Sequence, residues 1–440
     1  MHARKVRSGH GRCPWLLLAL AAALAVVAPA LAASKSTFAI DYIVTIAAKD
    51  PRRALVRWEL SGIDEIEDFR LRFPAERFEG FAGSGTLEHA PGSIRWVPGG
   101  PYAHLSYQVR IDHQRGRQQR HDSYAGTDWV ITRARDLFPR ILLNYTPRGK
   151  QAPKSRARLI FRLPAGWRSA AAHEAIGTNI YLLIEPGKVL DRPRGWIALG
   201  NLEMERQEIA GIMLQAARVP GGTVPLAELL RFYDRTLPVA RKLFPEAPER
   251  ILIVSAGDPM WRGGISGAGS FFIHAGRPLR TADKTSPYLH ELFHVLQPYR
   301  AAADADWIEE GLAEYYALEL QRRSGLLDAT GFGRGLDYFQ RYGLWQVDMT
   351  KQYDNRATNN SAPLLMYDLD QRIQRATAGS RRLDDVVMEL ARNRTTVDTT
   401  KFRRVVESIS GKKFGVFFRR HVLEGNPPAR DIRAQEVNRR

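Results

Sequence analysis

Between about residues 38 and 202, apolar and polar positions alternate in short runs. Val56 and Trp58, and then Leu105, Tyr107, Val109 and Ile111, place apolar side chains at every second position. Successive side chains of a strand point to opposite faces, so this period predicts strands with one buried face. Pro91-Gly92, Gly99-Gly100-Pro101 and Pro164-Ala165-Gly166 supply the turns between them. Many short strands separated in this way predict a β-sandwich, and none of its residue clusters carries recognisable chemistry.

A Pro/Gly-rich stretch at 219–225 ends the alternation, and the spacing of Leu229, Leu230, Tyr233 and Leu237 after it is helical. A strand is expected at 251–254. The glycine-rich 263–269 segment then reads as a loop feeding an edge strand at 270–273. Its glycines match no dinucleotide-binding or phosphate-loop pattern, since no Gly-Lys-Ser/Thr follows. From Ser286 onward the spacing predicts helices over 287–297, 307–323, 364–376, 383–392 and 401–410. Ser286 can cap the first of these, with Pro287 at its first position and Pro298 to stop it.

The start of the chain has a different character. Arg4, Lys5 and Arg7 precede an apolar, alanine-rich run that ends in Ala30-Leu31-Ala32. This reads as a secretory signal over 1–32, and the same run kept as an uncleaved anchor would equally leave the body outside the cytoplasm. Cys13, the only cysteine, lies ahead of the apolar run, so the mature chain is expected to contain no disulfide. At 440 residues, two or three domains are expected.

The formal net charge is +18, and the exported body stays strongly basic once Arg4, Lys5, Arg7 and Arg12 are removed. In an exported protein this excess points to acidic substrates or to anionic envelope surfaces, and away from nucleic acid. The basic 115–120 cluster lacks interleaved aromatics and reads as a solvated hairpin.

His290-Glu291-Leu292-Phe293-His294 adds specific chemistry. A helix advances about 100° per residue, so His290 and His294 emerge on one face, one turn apart, where they can share a metal ion. Zinc suits neutral imidazole, and catalytic zinc sites usually add a carboxylate and leave a position for water. Glu291 sits beside such a site as a candidate general base. A core helix can contain two histidines by chance, but here the next helix offers the missing carboxylate. Glu310 and Glu314 share one face of it, with Glu309 rotated away, and spacing alone does not separate the first two. Gly311 leaves room beside Glu310 for another helix to approach. That favours Glu310 as the ligand and leaves Glu314 to orient a histidine.

At these residues the chain resembles the gluzincin peptidases and is most similar to the glycyl aminopeptidase family, which pairs HExxH with a downstream Glu-Gly-x-x-x-Tyr. The similarity continues through Arg322-Arg323-Ser324-Gly325-Leu326, Asp368-Leu369-Asp370 and Leu383-Asp384-Asp385-Val386 to the segment beginning Phe417-Phe418-Arg419-Arg420. It implies Zn²⁺ held by His290, His294 and Glu310, with Glu291 as base. The fold class it implies is α+β: a β-sandwich over 33–217, a thermolysin-like mixed α/β catalytic domain over 218–345, a C-terminal helical region over 346–425, and a tail over 426–440.

Four departures from the family pattern bear on function. Fifteen residues separate His294 from Glu310, fewer than the family usually has. Where the family has Gly-Gly-x-Glu-His, this chain reads Gly263-Gly264-Ile265-Ser266-Gly267, so Gly264 and Ser266 are the substrate-side candidates and the carboxylate that recognises a substrate amino terminus is missing. The place of the family's oxyanion-stabilising tyrosine falls at Ala357 or Thr358, with Tyr353 the nearest replacement. No PDZ-like domain is expected after residue 425. The expected function is therefore zinc-dependent hydrolysis of peptides or proteins outside the cytoplasm, by internal cleavage or with relaxed amino-terminal preference. The competing class is a non-catalytic zinc-containing envelope protein that binds peptides or anionic polymers, and Glu291 argues against it, because a binding protein needs no base beside its metal.

Overall fold

The computed structural model describes residues 37–116, 119–351 and 357–428. The 1–32 segment and Tyr353 lie outside the described residues. Within them the fold is a mixed α+β arrangement, with sheets through the first half and helices concentrated in the second.

The period-two pattern appears as expected. Val56 and Trp58 on strand Asp50–Ser61 face inward opposite Tyr107 and Leu105 on strand Tyr102–Arg110. These strands belong to a seven-stranded sheet, in which Thr37–Ala47 pairs parallel with Lys154–Arg162 and antiparallel with Asp50–Ser61. A four-stranded sheet contributes Phe69 and Trp96 to the same apolar cluster. There Trp58 meets Phe69, Trp96 and Tyr107 edge-on, at centroid distances of 6.2–6.5 Å.

A further five-stranded sheet carries the site, in the order Glu203–Ile209, Ile212–Arg218, Arg250–Ala256, Ser270–His274, Gly264–Gly267. The hairpin 203–218, which precedes the 219–225 break, thus pairs with the strands that follow it. Side chains alternate between two cores. Ile212, Leu214, Ile251, Ile253, Phe271 and Ile273 join the helices, while Ala217, Leu252, Val254 and Phe272 pack with Ile131 and Trp196 of the first half. Burial on both faces explains why 251–254 is continuously apolar.

The glycine-rich segment departs from the expectation of a loop. Gly264–Gly267 is itself the edge strand, bonded antiparallel to Ser270–His274. Glycine weakens a strand, but it also marks places where another group must come close. A Cβ on Gly264 would lie 2.3 Å from Glu291 Oε1.

The helices after Ser286 match their expected spans closely: Pro287–Leu296 (the histidine helix), Asp306–Arg323 (the glutamate helix), Ala362–Ala376, Leu383–Asn393 and Thr399–Ser410. The helix Ala329–Tyr342 was not signalled by the pattern, because Gly331, Gly333 and Gly335 depress its propensity. Packing overrides this: a Cβ on Gly335 would meet Leu318 Cδ1 at 2.6 Å, so the glycine sets how closely the helix approaches. No helix among the described residues is long and apolar enough to cross a membrane.

Gly311 sets a second close approach. A Cβ there would fall 2.8 Å from Ala362 Cβ and 3.1 Å from its carbonyl carbon, so the glutamate helix and Ala362–Ala376 touch through backbone. Gly311→Leu is expected to lower stability by about 1–3 kcal/mol through overpacking. Gly415→Ala, whose Cβ would meet nothing, should stay within about 0.5 kcal/mol of wild type. Equal urea midpoints for the two variants would refute this account of the helix contact.

Candidate metal centre

The histidine helix begins where Ser286 Oγ accepts the Leu289 N–H at 3.3 Å, with Pro287 at its first position. Leu289, Leu292, Phe293 and Leu296 bury one side of it. Phe293 stacks on Tyr316 of the glutamate helix, centroids 5.2 Å apart and planes 11° apart. That packing fixes the helix rotation, and so turns His290 and His294 toward Glu310.

The two Nε2 atoms face each other at 3.0 Å. Glu310 lies across from both, its Oε2 3.4 Å from His290 Nε2 and its Oε1 3.5 Å from His294 Nε2. Each outer ring nitrogen has a carboxylate beside it: His290 Nδ1 is 3.2 Å from Glu314 and His294 Nδ1 is 3.6 Å from Glu309. A carboxylate beside Nδ1 favours a proton there, and in the neutral rings that would turn two Nε2 lone pairs toward one another. A shared cation resolves that repulsion. Tetrahedral ligands about 2.0–2.1 Å from zinc stand roughly 3.3 Å apart, close to the three separations observed here. His290, His294 and Glu310 form a group whose donor atoms all lie within 4.8 Å of one another, and its geometry fits a metal ion.

The electrostatics agree. Burial lowers the basicity of His290, but Glu314 and Glu310 outweigh it and hold the imidazole well above its ordinary pKa. Burial acts on His294 in the same sense, and Glu309 and Glu310 lift it to about 9. Three carboxylates around two imidazoles thus make a pocket that favours positive charge. Glu291 is buried, and desolvation raises its pKa against the pull of both histidines, in the direction a general base requires.

Glu310 is therefore the carboxylate facing both Nε2 atoms, and Glu314 sits behind His290. Glu309 differs: the turn between the helices brings it to His294 Nδ1, where its Oε2 also accepts the Ala301 N–H at 2.9 Å. Asn359 is a second group the sequence did not mark. It donates from Nδ2 to Glu310 Oε2 at 3.1 Å, from a π-helical turn over Ala357–Ser361. Ala-Thr-Asn-Asn-Ser has no periodicity that would have exposed it. Ala357 and Thr358, the expected tyrosine positions, are buried in this turn.

The edge strand completes the site. His274 N–H bonds to the Gly263 carbonyl at 3.1 Å, so by the alternation of an antiparallel ladder the backbone groups of Gly264 and Ser266 point away from the neighbouring strand. Both residues line the cavity of about 560 Å³ that holds His290, Glu291, His294 and Glu310. Arg115 of the basic cluster lines it too, lying 4.7 Å over Trp261 and paired with Asp122 at 3.2 Å.

No family model matches the sequence, and no curated protein matches it. Solved structures do. An aminopeptidase N family protein from Idiomarina loihiensis superposes with a TM-score of 0.68 at 14% identity, covering 91% of this chain and 78% of its own. An M1 zinc metallopeptidase from Deinococcus radiodurans, bound to a Tyr-Ser-Ala substrate, gives 0.60 at 16% identity, covering 90% of this chain and 95% of its own. The chain therefore has the fold of the M1 zinc metallopeptidases, in keeping with its gluzincin resemblance.

Proposed function

We propose that this chain is an exported zinc metallopeptidase that cleaves peptide bonds, internally or without requiring a free amino terminus. The triangle formed by His290, His294 and Glu310, with buried Glu291 in the same cavity, carries this reading. The Deinococcus protein of like fold binds a tripeptide substrate, which supports a peptide here. Export rests on the 1–32 segment.

Zn²⁺ in this triangle would polarise the scissile carbonyl and acidify a water. His290, His294 and Glu310 would hold it, with Glu314, Glu309 and Asn359 fixing their orientation. Glu291 accepts the proton of the attacking water and returns it to the leaving amine as the C–N bond breaks. The outward backbone groups of Gly264 and Ser266 can pair with an extended peptide, which adds as a further strand and is held in line for attack. Tyr353 stays our candidate for the oxyanion donor, on sequence grounds.

Ser266 bears on where the cut falls. A hydroxyl cannot neutralise a substrate ammonium, and an ammonium left unpaired in a shielded site costs about 3–5 kcal/mol. Nothing at this position therefore rewards a free amino terminus.

The mature protein should bind about one zinc per chain. His290→Ala, His294→Ala and Glu310→Ala should lose it, whereas Glu291→Gln should keep it and lose about 10²–10⁴-fold in turnover. Glu309→Gln, Glu314→Gln and Asn359→Leu should each weaken zinc binding about 10–100-fold. Metal analysis that finds zinc retained in Glu310→Ala but lost in Glu314→Ala would reverse their roles. In the same series, Tyr353→Phe should lower kcat much more than KM, and an unchanged kcat would remove Tyr353 from the mechanism.

A peptide and its amino-terminally acetylated twin should be cleaved with similar kcat/KM. Strict dependence on the free amine, with release of single residues, would overturn the internal-cleavage reading.

A further inference from the structure

We propose that a second cavity, lined by arginines and adjoining the metal centre, binds an acidic segment of the peptide substrate. The idea rests on the peptidase reading and adds a substrate class to it. The cavity measures about 680 Å³, within the roughly 300–1,000 Å³ typical of ligand sites. It meets the metal-centre cavity at Ser266 and His294, which line both.

Six arginines line it: Arg133, Arg135, Arg140, Arg192, Arg194 and Arg300. They come from separate parts of the chain and converge only in the fold. Arg133 is buried and neutralised by Asp136 at 2.9 Å and Asp122 at 3.0 Å. Arg194 and Arg192 share Glu185, at 2.8 and 3.6 Å. Arg135, Arg140 and Arg300 have no carboxylate within ion-pair distance among the described residues, so no direct ion pair neutralises them. Among the described residues Glu309 is the only acidic one lining the cavity, and His294 and the Ala301 N–H already engage it.

A recess with like charges on low-dielectric walls focuses its potential inward and favours an anionic occupant. Two further groups need a partner. Gln297 and Tyr299 line the same cavity, and each leaves a buried side-chain polar atom, Gln297 Oε1 and Tyr299 Oη, with no hydrogen bond. Buried polar atoms are normally satisfied, and these two belong to residues of the cavity wall.

The occupant is assigned as peptide because of continuity. A chain paired with the free edge of Gly264–Gly267 runs on toward Ala268 and Gly269, which line the arginine cavity. Side chains on one side of the scissile bond would then reach Arg135, Arg140 and Arg300. An anionic polymer unconnected with cleavage has no reason to share Ser266 and His294 with the metal centre.

The test uses zinc-loaded protein and three peptides with one neutral centre, flanked by glutamates, glutamines or lysines. Wild type should cleave the glutamate peptide with the highest kcat/KM, and zinc-loaded Glu291→Gln should bind it about ten-fold or more tighter than the glutamine peptide, an advantage that shrinks with added salt. The combination Arg135→Glu, Arg140→Glu and Arg300→Glu should abolish that preference. A matched reversal of the exposed Arg231, Arg334 and Arg404, outside this cavity, should retain it. The substituted arginines are exposed, and zinc content with circular dichroism reports whether each variant is folded.

Loss of the preference in both sets would trace it to bulk charge and overturn the proposal. So would equal handling of the three peptides by wild type, although cleavage itself would leave the peptidase reading intact. Stronger binding of a sulfated polysaccharide than of the glutamate peptide would likewise overturn it in favour of a polymer. Selective, arginine-dependent binding of the acidic peptide with no cleavage of any peptide would uphold the cavity's role and refute the peptidase reading instead.

Discussion

Two imidazole nitrogens held 3.0 Å apart, with a carboxylate facing both, are the constraint on which the rest of the site depends. One helix can supply the imidazoles but not the carboxylate. The glutamate helix must therefore cross the histidine helix at a fixed rotation and depth. Stacking of Phe293 on Tyr316 sets the rotation, and contact of Gly311 with Ala362 braces the glutamate helix from its other side. Beyond Glu310 that helix is pinned by polar bonds: Tyr315 to Asp370 at 3.1 Å, Tyr316 to Asp384 at 2.8 Å, and Arg323 to the same Asp384 at 2.6 Å. These segments carry much of the gluzincin resemblance because they hold the helix that carries Glu310.

The sheet imposes the second condition. The Gly264–Gly267 edge is held by its ladder to Ser270–His274, which is buried between two cores, and by Ile265, which packs against one of them. The absence of a side chain at Gly264 lets Glu291 lie against this edge, so the proposed base and the backbone that would align a substrate are positioned by one contact. Preorganisation of this kind places the reacting groups before a substrate arrives.

The first half of the chain contributes more than a scaffold. It carries five of the six arginines around the second cavity, and Arg115 reaches the wall of the first. Charge visible in the sequence only as a bulk excess is thus concentrated where a substrate would lie. Among the described residues, the balance between arginines in ion pairs, such as Arg133, and those outside them, such as Arg300, separates structural charges from those that could act on a ligand.

Local spacing determined a good deal by itself. Strand alternation, the capped start of the histidine helix, the i, i+4 histidines and the spans of the later helices follow from periods of two and 3.6 residues, and those periods are written in the residues themselves. The choice of Glu310 followed from Gly311, a local signal of close helix approach. Tertiary structure alone decided what depends on two elements meeting. Glu309 looked rotated away along its own helix, yet the connecting turn carries it to His294. Asn359 reaches Glu310 from a turn 49 residues away. The glycine-rich segment became a strand because a neighbour paired with it, and the glycines of Ala329–Tyr342 fit a helix because Leu318 fills the space beside Gly335. Spacing along one element is fixed by covalent geometry and can be read directly. Contact between elements is set by the packing of the whole core, which no single segment encodes.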